Sequence, residues 1–115
     1  MSFTFVTYAA PQFWPKGYYK TRLPKQAKGM WIKRYKHGSY FEFKVSNPKY
    51  VWVGDKTSGW SKSVTQTIVT KSKNARKNRF TLYSPAADPL EIKWAHHHIY
   101  YWTLTKWTKM IRYSK

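Results

Sequence analysis

Five cations crowd residues 71–79: Lys71, Lys73, Arg76, Lys77 and Arg79, separated only by small or amide side chains. Closely spaced ammonium and guanidinium groups on a loop can reach several phosphates and release their condensed counterions, the main source of sequence-independent affinity for nucleic acid. Asn74 and Asn78 can add hydrogen bonds to sugar or phosphate. A second cationic stretch, Lys16, Lys20, Arg22, Lys25 and Lys28, is interleaved with Tyr18 and Tyr19 and flanked by Trp14 and Trp31. Rings that stack on unpaired bases beside cations that track the backbone are what single-stranded nucleic acid requires. Both stretches have an ordinary reading too. A charge run is commonly a solvated loop, and the arm's aromatics can equally cover one end of a small core.

The total charge favours nucleic-acid contact for the 71–79 run, while for the arm both readings stand. The chain carries 22 Lys plus Arg against four acids, a formal net charge of +18 and a pI near 10.2. So dense a field repels itself in the compact state unless a polyanion neutralises it. Lysine outnumbers arginine 17 to 5, which favours attraction to phosphate over bidentate reading of base edges.

Other chemistry finds little support. His96, His97 and His98 are consecutive, so on a strand they alternate faces and on a helix they sit about 100° apart. Three in a row therefore converge poorly on one ion, and no metal or cofactor is expected. The histidines can instead add positive charge at mildly acid pH. Glu42 with His37 is the one pair able to act as acid and base on RNA, and nothing in their spacing demands it. There is no phosphate-cradling glycine loop, nucleophile elbow or metal-binding helix motif. A non-catalytic protein is expected.

The elements that position these groups read as strands. Aromatics make up 20% of the 115 residues and hydrophobic residues 42%, enough apolar surface to fold where a disordered basic tail could not. One domain fits this length. Residues 3–8 alternate as a strand. Residues 11–29 hold prolines, glycines and cations and read as an irregular arm free to follow another surface. Met30–Lys36 and Tyr40–Val45 form the best hairpin, the second run placing Phe41, Phe43 and Val45 on one face. Tyr50–Val53, Ser63–Thr70 and Arg79–Tyr83 follow as strands, with 71–79 as a basic hairpin tip. Asp88-Pro89-Leu90-Glu91 has the cap, proline and acid of a helix start, so a short helix over 89–97 is expected before a closing strand near 99–105. The fold class is mainly β, a small antiparallel sheet or open barrel with one short C-terminal helix.

The absence of cysteine excludes disulfides and thiolate metal sites. No stretch is apolar enough to span a bilayer as a helix, and Met1–Val6 lacks the features of a secretory signal. The expected setting is therefore soluble, inside a cell or a virion. The function expected is RNA or single-stranded DNA binding within a nucleoprotein assembly, as a ribosome-associated or a viral or mobile-element packaging protein, with protein neighbours. Two alternatives use the same residues: a cationic aromatic module on anionic membranes or glycans, of toxin or antimicrobial type, and a phage or plasmid inhibitor docking a nucleic-acid enzyme through Trp and Tyr anchors.

Overall fold

Alternation of apolar and polar side chains builds the molecule. In the computed structural model, which describes residues 16–57 and 59–113, ten strands form: β1 (Tyr18–Lys20), β2 (Gly29–Arg34), β3 (Tyr40–Asn47), β4 (Tyr50–Lys56), β5 (Ser63–Ser72), β6 (Arg79–Ser84), β7 (Ala87–Ala95), β8 (His98–Trp102), β9 (Trp107–Lys109) and β10 (Ile111–Arg112). The strand expected over 3–8 and the stacking candidate Trp14 lie outside the described residues. The sheet runs β10-β2-β3-β4-β5-β6-β7-β8-β9, every pair antiparallel.

One short segment nearly closes this sheet into a barrel. β9 pairs with β8 while β10, after Met110 alone, pairs with β2. The Met110 N–H donates to the Ile99 carbonyl at 2.8 Å and its side chain is fully buried. Closure removes the exposed edges that an open sheet would offer to other strands. Inside lie Trp31, Phe43, Val45, Val51, Val69, Leu82 and Ile92, with Leu23 and Ala27 closing one end.

The helix expected over 89–97 is absent. That stretch lies in β7, where Leu90, Ile92 and Trp94 pack against the core while Glu91 and Lys93 face outward. Period-two burial outweighs the local cap signal. Pro89 is tolerated because the β6–β7 register shifts between Leu82 and Ser84, beside it, so its missing N–H costs no regular ladder bond. The turn from β7 to β8 is His96-His97, both at positive φ (53° and 61°). This is the two-residue geometry usually given to Asn-Gly.

From Lys16 onward the arm is extended, but it is not free to follow another surface, as expected from the sequence, because backbone bonds fasten it to the barrel. Tyr18–Lys20 pairs with Ser72–Thr70, the Thr21 N–H donates to Val69 O at 3.0 Å and the Leu23 N–H to Pro48 O at 2.9 Å. A 3-10 turn at Lys25–Ala27 follows. Arg112 latches this plug: its guanidinium donates to the carbonyls of Gln26 and Lys28, each at 2.6 Å, and stacks 4.3 Å from the Trp31 ring centroid. Gly29, at φ +134°, admits it; a Cβ there would stand 2.5 Å from Arg112 Nη1.

Candidate nucleic-acid interface

Pairing of β1 with β5 joins the two cationic stretches. The Lys73 N–H donates to Gly17 O at 2.9 Å, so Lys16 and Tyr18 stand beside the tip. The tip is organised from within by Lys71. Its ammonium donates to the carbonyls of Arg76 (2.6 Å), Lys77 (2.8 Å) and Arg79 (2.8 Å) and lies 4.6 Å from the Phe80 ring centroid. Desolvation holds this ammonium below its ordinary pKa. Lys71 is thus a positioning residue. Lys73, Arg76 and Lys77 are the tip cations exposed to solvent.

On one side of the tip, a groove of about 530 Å³ is lined by Lys20, Thr21, Arg22, Lys49, Tyr50 and Ile68. Three cations around one tyrosine suit a phosphate flanked by a base. Lys25 and Lys28 are exposed on the plug, outside the groove lining. Tyr19 is exposed. Trp31, expected as a stacking ring, is not available: it is 0% exposed and donates its indole N–H to Ala27 O at 2.8 Å.

On the other side, the register lays out a row across four strands: Arg79, Lys93, Tyr100 and Lys109. Arg79 and Lys93 both sit on the Trp107 ring, 4.7 and 4.8 Å from its centroid, and Lys93 also lies 5.2 Å from that of Tyr100. Trp102 packs edge-on against Trp107, with centroids 5.3 Å apart, and remains 42% exposed. Arg79 Nε is buried without a hydrogen-bond partner, a donor whose desolvation is uncompensated within the chain. Glu91 bounds the platform, its carboxylate accepting from the Thr81 hydroxyl at 2.9 and 3.0 Å.

Sequence reasoning singled out Arg79 but not its neighbours on this row and platform, Lys93, Tyr100, Trp102, Trp107 and Lys109. The signal was there in the spacing of Tyr100 with Trp102 and of Trp107 with Lys109, each two apart on one strand face. Assigning 89–97 to a helix hid Lys93, and the pairing of β9 with β8 was not foreseen. The Glu42–His37 pair takes no such form. The Glu42 carboxylate accepts from Lys62 Nζ and, at 3.0 Å, from the Tyr113 hydroxyl, while His37 occupies an exposed turn at φ 61°. Among the described residues no group of three or more His, Cys, Asp or Glu gathers as a metal site would, and no helix is long and apolar enough to cross a membrane. No family model, curated protein or solved structure matches the chain.

Proposed function

We propose that this protein binds single-stranded nucleic acid, RNA or DNA, without catalysing a reaction on it. The observation that carries this reading is the continuity of the cationic band. It starts in the Lys20–Arg22–Lys49 groove, passes Lys16 and the tip cations Lys73, Arg76 and Lys77, and ends on the Arg79–Lys93–Tyr100–Lys109 row. Its rings supply stacking and its cations phosphate contact, the pairing that sequence-tolerant binders of unpaired strands use.

Curvature favours a single strand over a duplex. The band follows the outside of a body whose radius of gyration is 14.6 Å. A duplex, stiff over about 150 base pairs, resists bending on that scale, and a single strand follows it easily. A band with more lysine than arginine suits a structural role, neutralising and arranging nucleic acid within a nucleoprotein particle.

Fluorescence anisotropy with a labelled single-stranded oligonucleotide and its duplex tests the proposal. Preferential binding of the single strand is expected, weakened by Arg76→Gln with Lys77→Gln. Equal affinity for the duplex, or no binding at low salt, would contradict it.

A further inference from the structure

The barrel end opposite the tip has another character. The turn after β2 (35–39), the described part of the loop after β4 (57 and 59–62) and the loop after β8 (103–106) meet there. They border a concavity of about 260 Å³ whose lining includes Tyr35, Ser39, Asp55, Thr57, Tyr101 and Thr103. The Tyr35 and Tyr101 hydroxyls hydrogen-bond to each other and tie the turn to β8. Around this hollow project Leu104, 97% exposed, and Trp60, 73% exposed, the two most exposed large apolar side chains among the described residues, together with Tyr35.

These side chains are displayed by built loops. The Trp60 N–H donates to Thr57 O at 2.9 Å, and Lys56 Nζ clamps the Thr57 and Trp60 carbonyls. The Thr103 N–H and hydroxyl both donate to Lys106 O at 2.9 Å, which leaves Leu104 at the apex. Lys36 and Lys106 are exposed on the same loops, and Asp55 lines the hollow.

We infer that this end seats on an anionic lipid bilayer, with Trp60 and Leu104 entering the interface and Lys36 and Lys106 meeting anionic headgroups. Leu104, Trp60 and Tyr35 stand on three separate loop tips around the hollow. A fluid interface can accept each tip independently. Tryptophan, tyrosine and lysine are the residues that settle at headgroup depth, and a net charge of +18 complements an anionic leaflet. The surface lies at the end opposite the basic tip, so both can be engaged at once.

The test is co-sedimentation with phosphatidylcholine vesicles, with and without phosphatidylserine, for the full chain and for the Trp60→Ser, Leu104→Ser double variant. Both side chains are exposed, so the variant should melt like the parent and keep its oligonucleotide affinity. The expected result is binding to the phosphatidylserine vesicles that weakens about tenfold or more in the variant. Equal vesicle binding by both proteins would mean that general charge suffices and would overturn the inference, as would no binding by the parent. Self-association that the variant abolishes, without vesicle binding, would assign this end to a second copy of the chain instead. Absence of oligonucleotide binding by the parent, with vesicle binding intact, would count against the nucleic-acid proposal and leave this one standing.

Discussion

Two walls of the barrel use the same pairing of cation and ring to opposite ends. On one, Lys62 lies 5.6 Å from the Tyr40 ring centroid but is neutralised by Glu42, which is 7% exposed and also accepts from Tyr113. Gly54 makes room for this cluster, since a Cβ there would come within 2.9 Å of Glu42 Cγ. On the other wall, Arg79 and Lys93 rest on Trp107, and the nearby carboxylate of Glu91 is engaged by the Thr81 hydroxyl. The first arrangement is closed, its positive charge spent on holding strands together. The second positions positive charge over a ring, and no carboxylate among the described residues forms an ion pair with it. A lysine near an aromatic residue therefore means little until the carboxylates around it are known.

The largest effect that would break this contrast is on binding. Arg79→Ala combined with Lys93→Ala should weaken oligonucleotide binding roughly 30-fold, two charged contacts at about 1 kcal/mol each, with the fold intact by circular dichroism. Affinity unchanged within twofold would show that the row is not an interface. Trp102→Ala should cost about tenfold, the loss of one stacked base. The same oligonucleotide titration reads it, and Trp102→Phe should restore most of the affinity.

The opposite wall should respond in stability alone. Glu42→Gln is expected to lower the unfolding free energy by about 1 kcal/mol in urea, a value well below that of a fully buried pair because water still reaches Lys62. Oligonucleotide affinity should stay the same. The pH dependence sharpens this. The bond to Glu42 raises the Lys62 pKa above its ordinary 10.5, and burial followed by the Glu42 bond raises the Tyr113 phenol above 10.0. Both groups hold their protons more tightly in the folded state. Their contribution is therefore complete below about pH 10 and is lost as pH rises through the raised values. The stability gap between parent and Glu42→Gln should narrow in alkali; a gap that widens would refute the assignment.

The smallest effect concerns the platform's boundary. Glu91→Gln removes the one carboxylate beside it and should tighten oligonucleotide binding about twofold, the scale of one screened surface charge.

Much of this fold was legible in advance because strands announce themselves by alternation. Phe41, Phe43 and Val45 marked β3, and the β-branched run after Ser63 marked β5. Two features escaped for physical reasons. Asp88-Pro89-Leu90-Glu91 satisfies helix-start chemistry locally, yet burial of Leu90, Ile92 and Trp94 outweighs it, and burial depends on strands distant in sequence. The closing role of residues 107–112 was equally hidden, since β2 lies far away in the chain. The site followed the same rule. The tip was readable as a charge run, whereas the Arg79–Lys93–Tyr100–Lys109 row exists only once four strands are in register. Trp31 misled because composition cannot tell a core tryptophan from an exposed one.

The most direct test of the central claim is the salt dependence of oligonucleotide affinity. If about five cations of the band each displace a counterion from a single strand, the plot of log affinity against log salt should fall with a slope of about −3 to −4. That slope should shrink when Lys73, Arg76 and Lys77 are changed to Gln. A slope near zero, or one indifferent to those three changes, would contradict the account.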